Sequence, residues 1–301
     1  MKCLFLYNPA SGKGRIAGQT AYIRRRLEEA YDIVEIVETK SAEDMEARAR
    51  EGAARFDVIL FAGGDGTFNR ILQGVGERDV RLGYIPGGTT NDTARSLGIP
   101  RSVKGALNVI LAGNCAAIDV MRLNGTHYAV YVAAAGAFTR ATYSTGRSLK
   151  RKFGILAYAV EALRHEMKFR VFPVTITCDG WRFEETTVLI LNMNGRSIAG
   201  LKANKRSSMR DGKVELALIR QSKEPNFVGG MGAYASLVSL MLFGGKGRSR
   251  HILRLKGSHF RIETDGDVVW DLDGEKGMRG DLHVDVLSGH MKLFVPRKKK
   301  I

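Results

Sequence analysis

Asp65 stands among glycines, in the stretch Phe61-Ala-Gly-Gly-Asp-Gly-Thr-Phe-Asn69, directly after the apolar run 58–62 and directly before a helical spacing of apolar residues at Phe68, Ile71, Leu72 and Val75. Glycine tolerates positive φ and lets a ligand reach the main chain with no side chain between. A strand that ends in such a loop and runs into a helix presents free N–H groups at the helix start, where anions such as phosphate are favoured; taken alone, the loop reads equally well as a plain strand-to-helix turn. Two further glycine-bearing segments, Asn8-Pro-Ala-Ser-Gly-Lys-Gly14 and Gly87-Gly-Thr-Thr-Asn-Asp92, have the same character. A second group of acids comes late, in Asp271-Leu-Asp-Gly-Glu275, which taken alone reads as a hairpin turn.

Other chemistries fit less well. Ser11-Gly12-Lys13-Gly14 lacks the glycine of a Walker A loop where Tyr7 stands and the hydroxyl residue where Gly14 stands. Gly12, Gly14 and Gly18 are spaced one residue too widely for the dinucleotide fingerprint, although Glu35 or Glu38 lies ~20 residues on, as a ribose-binding acid would. No Gly-x-Ser-x-Gly elbow occurs, and the six histidines, His127, His165, His251, His259, His283 and His290, form no i, i+4 metal pair. His283 and Asp285 share a strand face and read as surface polar residues rather than a dyad.

The elements that must position these loops follow from periodicity. Extended runs at 3–7, 33–37, 57–62 and 82–85 alternate with helical patterns at 16–30, 42–56, 68–74, 90–97 and 103–111. This alternation predicts a parallel sheet with flanking helices, whose ligands bind outside the carboxyl ends of the strands. All three glycine segments follow a strand, so they gather at one edge. Beyond residue 121 the texture changes to short extended runs at 128–132, 174–178, 187–192, 214–219, 251–255, 259–264, 268–272 and 282–286, which predict an all-β second domain. Helical patterns at 149–167 and 228–243 interrupt it, and a strand at 291–295 is expected to pack back onto the first domain. The expected domains are 1–122, an α/β domain that carries the three glycine segments; 123–288, an all-β domain; and 289–301, a returning strand and basic tail.

A chain of 301 residues with 44% apolar content is long enough for two cores. Three scattered cysteines, Cys3, Cys115 and Cys178, make neither a disulfide framework nor a zinc spacing, which suits a reducing, cytoplasmic setting. The N-terminal apolar run is too short for a secretory signal, and the uncharged stretch 227–245 is too rich in glycine and serine for a membrane span, so an amphipathic helix is expected there. Forty-seven Lys and Arg against thirty-one Asp and Glu give a net charge of +16, concentrated at 147–152, 202–206, 246–251 and 297–300. Any single cluster reads as a solvated basic surface, but the set implies an anionic partner surface, membrane or nucleic acid.

Taken in order, Asn8-Pro-Ala-Ser-Gly12, Gly63-Gly-Asp-Gly-Thr67 with Asn69, Pro86-Gly-Gly-Thr-Thr-Asn-Asp92 and Asp271-Leu-Asp-Gly-Glu275 resemble the bacterial diacylglycerol kinase-like lipid kinases over nearly the full length. The Gly-Gly-Asp-Gly-Thr element is shared with NAD kinases and sphingosine kinases; the Asn-Asp element narrows the resemblance to the lipid-kinase branch. The resemblance implies a lipid kinase using ATP and Mg²⁺, with 1–122 as an ATP-binding α/β domain and 123–288 as a β-sandwich-like lipid-substrate domain. Nucleotide-contacting positions would be Asn8, Pro9, Ala10, Ser11, Gly12, Thr39, Gly63, Gly64, Asp65, Gly66, Thr67, Phe68, Asn69, Thr89, Asn91 and Asp92, with Asp65 and Asp92 in a magnesium–water network. Asp273 or Glu275 would be the base that takes the proton of a lipid hydroxyl, and a structural magnesium would lie on Ser208, Asp211 and Lys213. Arg70, Thr93 and Arg210 depart from the family pattern of residues around these sites. Diacylglycerol is the default acceptor, at the inner membrane face, with a peripheral anionic surface as partner, no nucleic acid, and a homodimer left open. NAD kinase, or a regulator that binds lipid or nucleic acid without turnover, is the alternative reading.

Overall fold

The computed structural model describes residues 1–10, 14–136, 171–198, 200, 201, 204, 207–221, 236, 239 and 250–297. The sequence-predicted helices at 149–167 and 228–243 fall outside the described residues except for two helical positions, Ser236 and Ser239, and most of each basic cluster lies outside them. The chain divides into two compact units, the first made of Met1–Val120, Met209–Gly212 and Leu287–Ile301, the second of Met121–Ser208 and Lys213–Val286.

In the first unit, β1 (Lys2–Tyr7), β3 (Val58–Gly63) and β4 (Arg81–Pro86) are apolar along nearly their whole length and buried on both faces. Such runs belong in the middle of a parallel sheet with helices on either side. β2 (Ile33–Glu38), where Glu alternates with Ile and Val, is the half-exposed edge. The order is β2-β1-β3-β4, all parallel, and the end of β15 (Leu282–Phe294) adds to β4 in parallel through Lys292 and Leu293. The chain runs outward from β1 to β2 and then returns past β1 to β3, so the strand order reverses there, where a crevice opens in sheets of this kind.

Helices α1 (Thr20–Glu28), α2 (Ala42–Gly52), α3 (Asp65–Val75), α4 (Asp92–Leu97) and α5 (Val103–Leu111) connect the strands. Ser41 and Ser102 cap α2 and α5 by accepting from the N–H of Asp44 and Gly105, each at 3.2 Å. Gly74 lets α3 lie on α2: a Cβ there would stand 2.3 Å from the carbonyl oxygen of Glu46. The periodicity at 16–30 gives way at its start to a short 3₁₀ turn, Ala17–Gln19, because Gly18 is a poor α-helix former. α3 begins at Asp65, inside the glycine motif and ahead of the apolar stripe that marks it in sequence.

The second unit is antiparallel β, as its short alternating runs predict. β6 (His127–Ala129) pairs with β5 (Cys115–Leu123), which also pairs with β15. β15 pairs with β12 (His259–Glu263), β12 with β8 (Phe172–Cys178), and β8 with the first half of β9 (Trp181–Met193). The second half of β9 pairs with β7 (Val132–Gly136) on one side and β10 (Val214–Arg220) on the other. β13 (Val269–Leu272) joins β7 and forms a hairpin with β14 (Glu275–Arg279), while β11 (Ile252–Gly257) follows β10. One core takes Phe172, Ile176, Ile190, Leu216, Phe260, Trp270 and Val284. A second takes Val132, Leu189, Leu191, Ala217 and Ile219, so the strands around β9 are buried on both faces. No helix among the described residues is long and apolar enough to cross a membrane.

Candidate active site

At the carboxyl edge of the first unit's sheet, three loops leave neighbouring strands. After β1, the Asn8 carboxamide accepts from the N–H of Ala10 at 2.8 Å, turning the chain; Pro9 and Ala10 are exposed, and Ser11 and Gly12 lie outside the described residues. Thr39, directly after β2, is buried and bound to the Tyr7 carbonyl through both its N–H at 2.8 Å and its hydroxyl at 3.3 Å. Beside it the Tyr7 hydroxyl donates to Glu38, and burial followed by that carboxylate pushes the phenol up to about 12.

The loop after β3 is the glycine motif. Gly64 is the N-cap of α3 and carries no side chain to cap it, so the first-turn N–H groups at Asp65, Gly66 and Thr67 are left for a ligand or water. Gly63 makes room for Thr67, whose hydroxyl would lie 2.2 Å from a Cβ there. Phe68 is fully buried, edge-on to Phe61 and Tyr84 with ring centres 5.0 Å away in each case. Its ring packs beneath the loop. Asn69 is half-buried and accepts from Gln73 at 3.1 Å.

The loop after β4 is tied to the second at several points. The N–H of Gly87 donates to the Gly63 carbonyl at 2.7 Å, and Gly88 approaches Gly64 so closely that a Cβ on it would lie 2.6 Å from the Gly64 Cα. Asn91, left-handed at φ 50°, accepts from the N–H of Gly88 at 2.9 Å and donates to its carbonyl at 2.8 Å. Its side chain is therefore engaged in holding the loop. The buried Tyr84 hydroxyl lies 3.1 Å from the Gly63 carbonyl and 3.2 Å from the Asn91 amide oxygen. Burial, and then the carboxylates of Asp65 and Asp92, raise this phenol well above its usual value, so it stays protonated and donates.

Asp65 is the main link. Its Oδ2 accepts from the Asp92 N–H at 2.9 Å and the Thr90 hydroxyl at 3.3 Å, and its Oδ1 accepts from the Thr93 N–H at 3.0 Å. Asp92 is itself buried at the start of α4. Thr89 is exposed at the loop tip. The side chains of Tyr84, Arg95 and Arg101 also hold the loops, without a sequence signal: Tyr84 lies mid-strand and Arg101 beyond α4, so no spacing connects them to the motif.

In the second unit, Asp273 and Gly274 both have positive φ, 54° and 88°, and make the two-residue turn between β13 and β14. The hairpin reading of this segment is thus what the backbone adopts. Asp273 is buried, accepting from Val130 at 2.7 Å, Tyr131 at 2.9 Å and Val132 at 3.1 Å, all backbone N–H groups. Asp271 accepts from the Gly274 N–H at 2.8 Å. Glu275 is exposed and its carboxylate has no hydrogen bond or ion pair among the described residues. Elsewhere on this unit, Asp285 accepts from His259 at 3.0 Å rather than from His283.

Of the third expected group, Asp211 lies on the turn Met209–Gly212 of the first unit, while Ser208 and Lys213 belong to the second. Asp119 organises that turn: its N–H donates to the Met209 carbonyl at 2.7 Å, and its carboxylate accepts from Gly212 at 2.7 Å and Gly289 at 2.8 Å. Asp211 and Lys213 are exposed and Ser208 is half-buried. Among the described residues no group of three or more His, Cys, Asp or Glu side chains is placed to hold a metal ion.

Comparison with known proteins decides what this arrangement belongs to. The profile of the diacylglycerol kinase catalytic domain matches residues 2–123. A diacylglycerol kinase of Bacillus subtilis (strain 168) is 31% identical over 299 residues, covering 98% of this chain and 96% of the relative. The chain belongs to the diacylglycerol kinase family. A diacylglycerol kinase of Staphylococcus aureus (strain MRSA252) is 28% identical over 298 residues, 97% of this chain and 91% of its own. A crystal structure from Bacillus anthracis strain Sterne, provisionally named a diacylglycerol kinase, superposes with a TM-score of 0.84 at 26% identity, covering 98% of this chain and 95% of that one. As a member of this family the chain is a kinase, which implies the use of ATP.

Proposed function

We propose that this kinase transfers the γ-phosphate of Mg²⁺-ATP to a hydroxyl of a membrane lipid, with diacylglycerol the default acceptor. The observation that carries the reading is the pair of glycine loops at one sheet edge, joined by Asp65 and offering backbone N–H groups at the uncapped start of α3. Phosphoryl transfer asks for positioning and charge neutralisation more than for covalent chemistry, and this edge supplies both. The residues fit a magnesium ion: of the roughly four lone-pair positions on the Asp65 carboxylate the fold uses three, leaving one on Oδ1, and the buried Asp92 begins the adjoining helix. Bound there through Asp65 and Asp92, the ion would neutralise phosphate charge. The remaining nucleotide contacts are assigned to Asn8 to Gly12, Thr39, the α3 start, Asn69 and Thr89.

The acceptor hydroxyl loses its proton to a carboxylate as its oxygen bonds to the γ-phosphorus and the bond to the β-phosphate oxygen breaks, releasing ADP. Asp273 is committed to the main chain of residues 130–132. Glu275, exposed and with no hydrogen bond or ion pair among the described residues, is the residue we assign as base. The magnesium at Ser208, Asp211 and Lys213 has weaker support, because Asp211 is exposed and the cationic Arg210 precedes it in sequence. Peripheral binding to the inner, anionic membrane face is the role we assign to the +16 charge.

Incubation with radiolabelled ATP and a panel of lipids and NAD tests the proposal. Label moving into the organic phase with diacylglycerol or another lipid is expected; label on NAD alone would establish the NAD-kinase alternative, and no transfer at all the non-catalytic one.

A further inference from the structure

Three consecutive carbonyls of the loop after β4 are each held by a side chain. Gly88 O accepts from Asn91 Nδ2 at 2.8 Å and lies 3.5 Å from Arg101 Nη2; Thr89 O accepts from that same Nη2 at 3.1 Å; Thr90 O accepts from Arg95 Nε at 2.8 Å. The following N–H groups, of Thr89, Thr90 and Asn91, have no acceptor among the described residues. A trans peptide points its N–H opposite to its C=O. Fixing a carbonyl from one side therefore fixes where the next N–H aims, and successive N–H groups aimed away from a scaffold are an anion-binding arrangement.

We propose that Arg101 is a positioning residue for the nucleotide phosphates: by holding the Thr89 carbonyl, and more weakly that of Gly88, it turns the N–H groups of Thr90 and Thr89 toward the anion. This rests on the phosphoryl-transfer reading above. Arg101 lies beyond α4 and is exposed, so it is not needed for the core. Its positive charge acts on the Tyr84 phenol as well, opposing the rise caused by burial and by Asp65 and Asp92. A single nitrogen, Nη2, serves both carbonyls, and arginine suits this task because its planar guanidinium fixes the direction of that donor, whereas the lysine ammonium rotates on a flexible stem.

The test follows the phosphate-binding groups directly. Tripolyphosphate is titrated into ¹⁵N-labelled full-length protein while the backbone amide signals of Thr89 and Thr90 are followed, and ATP kinetics and melting temperature are measured for wild type, Arg101→Ala and Arg101→Lys. In the wild type both amides shift with tripolyphosphate. In Arg101→Ala the same shift needs about tenfold more ligand and KM for ATP rises about tenfold, the scale of one hydrogen bond's worth of orientation. The kcat, the KM for lipid and the melting temperature stay at wild-type values, and Arg101→Lys recovers part of the loss. An unchanged KM for ATP in Arg101→Ala, amides that ignore tripolyphosphate in an active wild type, or a loss explained by a lower melting temperature would overturn the role of Arg101 and leave the kinase reading standing. A wild type that neither binds tripolyphosphate nor turns over ATP would end both.

Discussion

Asp65 joins the two loops by its acceptor capacity, so its replacement tests structure and chemistry together. In Asp65→Asn one oxygen becomes an NH₂ facing N–H donors and a hydroxyl, and the magnesium ligand is lost. Transfer should fall by ~10²-fold or more, with ~1–3 kcal/mol of unfolding free energy lost as well; kcat and urea denaturation on the same preparation measure the two, and normal turnover would remove Asp65 from the mechanism. The Asp-Gly-Glu turn divides these effects between residues. Glu275→Gln should lower kcat by ~10²–10⁴ with stability unchanged. Asp273→Asn should chiefly lower stability, since its carboxylate accepts from Val130, Tyr131 and Val132. If Glu275→Gln turns over like the wild type, the base lies elsewhere.

At the scale of elements, the site depends on how closely the loops after β3 and β4 approach. Gly88→Ala would put a methyl 2.6 Å from the Gly64 Cα and 2.7 Å from the Asn91 amide oxygen, so two stretches of backbone must part. A loss of ~1–3 kcal/mol and weaker ATP binding are expected. Gly18→Ala, with nothing within 4 Å, serves as the control. Thermal unfolding with and without nucleotide separates the two outcomes, and a silent Gly88→Ala would mean the loops need not touch. This edge was legible in sequence because glycine spacing after apolar runs marks both the strand end and the bare backbone. The bonds that secure it were not, since Tyr84, Arg95 and Arg101 reach it through tertiary geometry that no local pattern encodes. The Asp273-Gly274 hairpin was legible as a turn, but only the bonds to residues 130–132 distinguish a structural carboxylate from an available one.

For the whole molecule, two predictions concern its charge. Asp285 is held below the usual carboxylate range by the hydrogen bond from His259, against some burial, with Arg122 adding to the effect. Asp179 is also lowered: burial opposes, but the backbone N–H groups of His259 and Ser258 prevail. A carboxylate depressed in the folded state contributes stability above its unfolded value, near 3.8, that is lost as pH falls through the lower folded value. The urea midpoint should therefore drop between about pH 5 and pH 2, less steeply in Asp179→Asn or Asp285→Asn; parallel curves would show that neither contributes. Cosedimentation with vesicles should increase with anionic lipid, weaken with salt as charges are screened, and fall when Lys246, Arg248 and Arg250 become alanine, each being worth ~1 kcal/mol near such a surface. Indifference to all three changes would leave the +16 without a membrane role. Alternation of strands and helices made the two-part architecture legible at this scale, whereas the buried outer face around β9 was not, because a strand covered on both sides loses its period.

β15 pairs with β12 through residues 282–285 and, further along, with β4 through Lys292 and Leu293. During biosynthesis the β4 edge at Arg81 and Leu82 leaves the ribosome long before its partner strand exists, so the early part of the chain must wait with an open edge while the β unit is made. Contacts so distant in sequence slow folding and expose edges to misassembly. Chains arrested before residue 287 should be the ones that chaperones retain and that aggregate when released.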